Sequence, residues 1–231
     1  MSKLFINSIG TVIPLGDGAT GKSILTKHLI DYPETQEDAL KIAQTIKKSL
    51  NVELEYDTQV LDFEDKTVST AIQYYVFPGQ RQKISKFAPS FDDIVNIFEF
   101  LPALKKVTVL LLIFDTTRLE SLKSLESWLL VSISRGWISS KTKLILVSNK
   151  IDLQASNHQF IENVKDGIYQ MIRNKHILIE REQITSIDTS AVSLHGINNL
   201  RQEIFEWIAH HGTQRVKDSS YFYNKNRLKE S

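Results

Sequence analysis

Gly16-Asp17-Gly18-Ala19-Thr20-Gly21-Lys22-Ser23 is the stretch on which the reading of this chain turns. It fits the pattern G-x-x-x-x-G-K-[ST]. Its glycines let the backbone curl so that successive N–H groups face inward as an anion nest. Lys22 adds a compact positive charge for the β- and γ-phosphates of a nucleotide, and the Ser23 hydroxyl is a ligand for Mg²⁺. A helix that starts directly after the loop aims the positive end of its dipole at the same point. The flanks agree with this context. Thr11-Val12-Ile13-Pro14-Leu15 reads as a short apolar strand, and Ile24–Ile30 follows with helical spacing. Asp17, Gly18, Ala19, Thr20, Gly21, Lys22, Ser23 and Ile24 are therefore candidate nucleotide-binding residues.

Composition narrows the remaining classes. The 231 residues are 42% hydrophobic and 24% charged, which suits one globular domain with additions. A net charge of +1 supplies no global field for nucleic acid or membrane, so no nucleic-acid partner is expected. The chain has no cysteine, which excludes a disulfide scaffold, a thiolate zinc site, a cysteine nucleophile, prenylation and palmitoylation. Ser2 excludes N-myristoylation, so no lipid anchor is expected. The most apolar run, Val107–Phe114, is far too short to span a bilayer, and the start lacks a signal-peptide pattern. A cytoplasmic location is the expectation.

Strands alternate with helices along the chain, the pattern of a doubly wound α/β sheet. Lys3–Ile9 is an apolar segment before the first strand, read as an extra strand or an extension of it. A first helix is expected over Lys22–Ile30. An amphipathic helix over Glu34–Leu50, with Ala39, Ile42, Ala43, Ile46 and Leu50 on one face, is capped by Thr35. Val60–Phe63 and Val68–Phe77 read as a hairpin around Glu64-Asp65-Lys66. Val107–Phe114 and Lys143–Val147 are buried strands, Thr185–Ile187 is a short one, and helices are expected over Leu119–Ser134, Gln159–Lys175 and Ile197–His210. Residues 213–231 read as a polar, loosely held tail.

Asn149-Lys150-Ile151-Asp152 closes the second buried strand after the loop, where a base-reading segment belongs. A carboxylate at Asp152 accepts the paired N1–H and N2 amino donors of guanine, which adenine lacks. Asn149 suits the O6/N7 side and ties neighbouring loops together, and the stem of Lys150 covers the base. Polar groups left unpaired by the wrong base cost about 1–3 kcal/mol each, so this pattern discriminates steeply.

With both motifs in this order the chain resembles the Ras-superfamily small GTPases over roughly residues 10–210. The resemblance implies a P-loop NTPase fold: a doubly wound, mostly parallel sheet with one antiparallel edge strand. It also implies GTP/GDP and Mg²⁺ as ligands, slow GTP hydrolysis, and protein effectors and regulators. Thr189-Ser190-Ala191 is similar to the family's last guanine loop, adding Ser190, Ala191 and Val192 to the nucleotide-binding set. Val76-Phe77-Pro78-Gly79-Gln80 resembles the second switch. There Gly79 offers its N–H to the γ-phosphate and Gln80 orients the attacking water, which makes Gln80, Lys22 and Gly79 the catalytic candidates. The family's aspartate position holds Val76. A P-G-Q switch without that aspartate resembles the prokaryotic MglA-like and Arf-like branch, which implies a roadblock-type activator. Thr58-Gln59-Val60-Leu61-Asp62-Phe63 resembles that branch's first switch, making Thr58 a second Mg²⁺ ligand beside Ser23. Thr35, Thr45, Thr67 and Thr70 lie in or near the same region.

Gly18 keeps the phosphate loop clear for Gln80, which favours hydrolysis. Arg81 reads either as a cis-acting charge or as a solvated residue, and Arg118 as structural. Two insertions, 33–56 and 82–106, lengthen the family's plan; the second carries Phe87, Phe91, Phe98 and Phe100, readable as core or as partner anchors. The domain plan is a G domain over 1–212 and a tail. Val76 also motivates an alternative, a guanine-nucleotide-binding interaction module with little hydrolysis. The Asn149–Asp152 pattern argues against a kinase or ATPase for another substrate.

Overall fold

A computed structural model describes residues 3–46, 52–79, 91–98 and 101–216. Its centre is strand β1 (Leu4–Leu15), whose last six residues are all buried. The segment Lys3–Ile9 is thus an extension of β1 rather than a separate strand. Pro14 lies beyond Val12, the last residue of β1 paired with β3 (Lys66–Val76), and faces only β4 (Val107–Asp115) as a partner, so its missing donor removes at most one ladder bond.

The strand order is β2-β3-β1-β4-β5-β6, with β2 (Glu53–Asp62), β5 (Lys143–Asn149) and β6 (Ile184–Thr189). The pairs β3–β1, β1–β4, β4–β5 and β5–β6 are parallel. The edge strand β2 is antiparallel to β3. A further strand, β7 (Thr213–Val216), pairs antiparallel with Ile6–Ile9 of β1. The expected single antiparallel strand is therefore joined by a second, and the polar segment begins as an ordered strand rather than a loose tail. Its residues occupy the half of β1 that β4, which starts opposite Thr11, leaves open. Residues 217–231 lie outside the described residues.

Helices cover both faces. β4 is buried throughout and alternates its side chains between two cores, as a strand covered on both sides must. On one side Leu110, Leu112 and Phe114 pack with α3 (Phe91–Phe98), α5 (Leu125–Ser134) and α6 (His158–Asn174). On the other Val109, Leu111 and Ile113 pack with Leu25 and Leu29 of α1 (Lys22–Asp31) and with Leu200, Ile204 and Ile208 of α7 (Ile197–His211). Among the described residues no helix is long and apolar enough to cross a membrane.

Three elements depart from expectation. α2 (Gln36–Thr45) is shorter than Glu34–Leu50; the Thr35 hydroxyl caps it as expected, by accepting the Asp38 N–H, but Ile46 is already extended, and residues 47–51 lie outside the described residues. The helix expected over Leu119–Ser134 is interrupted at Ser124, between α4 (Leu119–Lys123) and α5, where the Ser124 hydroxyl donates to the Asp17 carboxylate. β2 begins at Glu53, not Val60. Its inward-facing positions from Glu53 to Gln59 are polar and hidden from an apolar-alternation reading: Glu55 pairs with Lys27, and Arg201 donates to Asp57 and Gln59.

Phe91 belongs to the core. It is 1% exposed, sits edge-on to Trp128 and packs against Phe77, which stacks on Trp137. Phe87 and Phe100 lie outside the described residues. Truncating a buried aromatic leaves a cavity that neighbours fill only in part. Phe91→Ala is expected to lower unfolding free energy by about 3–5 kcal/mol in urea titration. Val60→Ala, at a side chain 65% exposed, stays within about 0.5 kcal/mol of the parent.

Candidate functional site

The carboxyl ends of β1, β3, β4, β5 and β6 lie at one end of the sheet, and those of β1, β3, β5 and β6 each carry one of the motif segments. Connections leave β1 and β4 in opposite directions, β1 toward β3 and β4 toward β5, so the order reverses between these two strands. That is where open α/β sheets bind ligands.

The loop after β1 is shaped by close approach. Gly16 has φ +149°, and a Cβ there would overlap the Ile113 carbonyl of β4. Gly21 has φ +94° and abuts the Asn149 side chain. Only glycine serves at either position. Five consecutive carbonyls then find side-chain donors. Lys22 Nζ donates to Gly16 O and Asp17 O, both at 2.7 Å. The Thr20 hydroxyl also donates to Asp17 O at 3.0 Å. Arg118 donates to Gly18 O at 3.0 Å, Lys150 Nζ to Ala19 O at 2.9 Å and Asn149 Nδ2 to Thr20 O at 2.8 Å. In a trans peptide the carbonyl and the following N–H point opposite ways. The N–H groups of Ala19, Thr20 and Gly21 are thereby turned away from these donors. From Gly18 to Ile24 no N–H has a protein partner among the described residues. The first turn of α1, which opens at Lys22, adds its own unpaired donors to this row.

Lys22 is 7% exposed, and burial pushes its ammonium down to about 8; Arg118 adds to the lowering, and Asp17 offsets part of it. The Asp17 carboxylate faces the protein, accepting from Ser124 Oγ at 2.6 Å and from Trp128 Nε1 at 3.0 Å. It was expected among the ligand-binding residues; its side chain instead anchors the loop to α5. Ser23 is half-buried, and its hydroxyl has no partner among the described residues.

Asn149 and Lys150 are absorbed in the same network. Asn149 is buried and accepts from Thr189 Oγ1 at 3.1 Å, which links β5, β6 and the loop. Lys150, at φ +68°, forms a 2.6 Å ion pair with Asp115, the last residue of β4. Burial alone would raise the Asp115 carboxyl. The bonds from Lys150 and from the hydroxyl and N–H of Thr117 outweigh it and hold the group down at about 2. Arg118 bonds the same carboxylate at 3.1 Å, consistent with its structural reading. Asp152 is exposed, and its carboxylate has no partner among the described residues. Ser190 is buried, its N–H donates to His195 O, and its hydroxyl accepts from Ser193 N–H. Ala191 is half-buried, and Val192 is exposed beside it. Ile24 is half-buried at the start of α1.

Gly79 comes close to the loop: a Cβ on it would overlap Lys22 Nζ and contact the Asp17 carbonyl. Gln80 and Arg81 lie outside the described residues. Thr58 is not brought to the site. It stands in the middle of β2 opposite Ala71, which pairs with Ile9, seven residues before Gly16. At about 3.3 Å per residue this puts its row about 23 Å from the loop along the strand. The switch reading assumed that β2 begins just after Thr58; because it begins at Glu53, opposite Val76, the start of β2 and not Thr58 neighbours the loop. Sequence reasoning also missed Ser124 and Trp128, whose contacts with Asp17 cross long stretches of chain and leave no local pattern.

No model of a known protein family matches this chain, and no curated protein is significantly similar to it.

The folded protein holds Asp115 ionised below the range of an unfolded aspartate, so its contribution to stability is complete above about pH 4 and is lost as pH falls through about 2. The difference in urea unfolding free energy between the parent and Asp115→Asn is expected to shrink by about 2 kcal/mol from pH 5 toward pH 2.

Proposed function

We propose that the chain binds guanine nucleotide with Mg²⁺ at the end of β1, on a P-loop variant of the α/β fold. It hydrolyses GTP slowly to GDP and phosphate as a nucleotide-dependent switch. The observation that carries this reading is the row of unpartnered N–H groups from Gly18 to Ile24, beside five carbonyls that are all held. Such a row takes a polyphosphate. Lys22 now satisfies itself on the Gly16 and Asp17 carbonyls, and a phosphate oxygen offers its buried ammonium a charged acceptor instead. The preference for guanine rests on Asp152. Asn149 donates to the loop and Lys150 to the loop and Asp115, whereas the Asp152 carboxylate, without a partner among the described residues, can accept the paired donors of guanine.

The Ser23 hydroxyl fits as one protein ligand to Mg²⁺, with phosphate oxygens and water filling the other positions, as this ion prefers. Thr58 does not fit, being far along β2, and Asp115 is occupied by Lys150, Thr117 and Arg118. When bound, Mg²⁺ neutralises charge on the β- and γ-phosphates. Gly79, packed against Lys22, supplies an N–H at the γ-phosphate; the role of Gln80 in orienting water rests on its place after Gly79. Protein effectors and regulators, a roadblock-type activator among them, and a cytoplasmic location complete the reading.

Val76 favours a second reading, a guanine-nucleotide-binding module with little hydrolysis, because a buried valine stands where the family places its metal-linked aspartate. Phosphate release from purified protein with GTP and Mg²⁺ separates the two. Slow release that is lost in Lys22→Ala supports the switch; tight binding with no release supports the module. Equal displacement of a fluorescent guanine nucleotide by ATP and GTP overturns both. Bound phosphate raises the proton affinity of Lys22. Nucleotide affinity is therefore expected to be level below about pH 8 and to fall by up to tenfold per pH unit above it, read by fluorescence titration.

A further inference from the structure

At the opposite end of the sheet from the loop, a cavity of about 400 Å³ opens where β4 begins, where the chain enters β5 and where α7 turns into β7. Lys105, Lys106 and Lys141 line it together with His211, Thr213 and Gln214. All three lysines are exposed, and none of their ammonium groups has a partner among the described residues. Of the two carboxylates on α7, Glu203 is taken by Lys143 and Thr185, and Glu206 accepts from Gln202. Three lysines therefore line one opening, with no ion-pair partner among the described residues.

The frame that carries them is fixed. Trp207 Nε1 donates to the Lys141 carbonyl at 3.1 Å, and its ring stacks on His211 at 3.7 Å between centroids. The Thr142 hydroxyl donates to the Val107 carbonyl at 3.0 Å, tying the Lys141 segment to the start of β4. A Cβ on Gly212 would crowd Ser8 Oγ and the Ile208 and Ile9 carbonyls, so the turn from α7 into β7 is held closely. The cavity is large enough for more than one phosphate, within the range of small-molecule pockets.

We propose that this cavity is a second anion site, which takes a ligand bearing at least two phosphate groups. Lysine ammonium groups meet phosphate as compact point charges. A single phosphate carries a charge of about −1.5 to −2, less than three lysines supply. The ligand is either a free pyrophosphate-type anion or the phosphorylated headgroup of a lipid, and both present the same chemistry.

The test uses full-length protein carrying Lys22→Ala, which weakens the loop, and the lysine substitutions below separate any binding that remains there. Inorganic pyrophosphate is titrated by calorimetry. Phosphatidylcholine vesicles with and without a bisphosphorylated inositol lipid are tested by sedimentation. Saturable pyrophosphate binding that weakens at least tenfold in Lys105→Gln/Lys106→Gln/Lys141→Gln, and that weakens as salt rises, supports the site and a free ligand. Sedimentation only with the phosphorylated lipid, lost in the same variant, supports the site and a headgroup ligand. The substitutions are at exposed side chains, and an unchanged melting temperature checks that the fold survives. No binding to either probe at millimolar concentration, or binding that the triple substitution leaves unchanged, overturns the proposal.

Discussion

Every carbonyl from Gly16 to Thr20 accepts a hydrogen bond from a side chain, and three of the donors, Arg118, Asn149 and Lys150, arrive from the ends of two neighbouring strands. The shape of the loop is thus a property of the sheet and not of the octapeptide alone. β4 must lie against β1 so that Gly16 can pass the Ile113 carbonyl, and β5 must lie against β4 so that Lys150 can reach both Asp115 and Ala19. A shift of one residue in either pairing would carry these donors to the opposite face. The long apolar runs of β4 and β5, buried on both sides, are what hold that register.

The same arrangement concentrates charge in a poorly solvated place. Lys22, Lys150 and Arg118 converge on one loop, while Asp115 is the carboxylate that answers two of them and Asp17 is directed at α5. Burial disfavours the Lys22 ammonium, and neutral carbonyls are weaker partners than a carboxylate would be. A buried ammonium held only by neutral carbonyls is a perturbed group of the kind that clusters at sites more often than in cores.

Much of this was legible in the sequence where the signal is local. The glycines of 16–21, the apolar runs of β4 and β5 and the Thr35 cap were readable because backbone shape and burial leave their mark on adjacent residues. Contacts formed across the fold were not. Nothing near Asp17 announces that its carboxylate will meet Ser124 and Trp128, more than a hundred residues away. β2 was misread for a different reason. Its inward face carries Glu55, Asp57 and Gln59, made tolerable by Lys27 and Arg201, so the usual apolar-in pattern is inverted and the strand start was placed too late. The misplacement of Thr58 follows from that single error.

Val76 and Phe77 hold the end of β3 in the two cores on either face of the sheet. Val76 is 3% exposed and packs in the core that α1 and α7 cover, and Phe77 enters the core on the other face against Phe91 and Trp137. A carboxylate at residue 76 would be desolvated among Val12, Ile72 and Ile113 side chains of that core, at a cost that only a close cation repays. Valine removes the need for that cation. Two consecutive residues, one rooted in each core, fix the strand end from both sides and deliver Gly79 to Lys22 by packing alone. In this chain the approach of β3 to the loop is therefore built into the apolar fold.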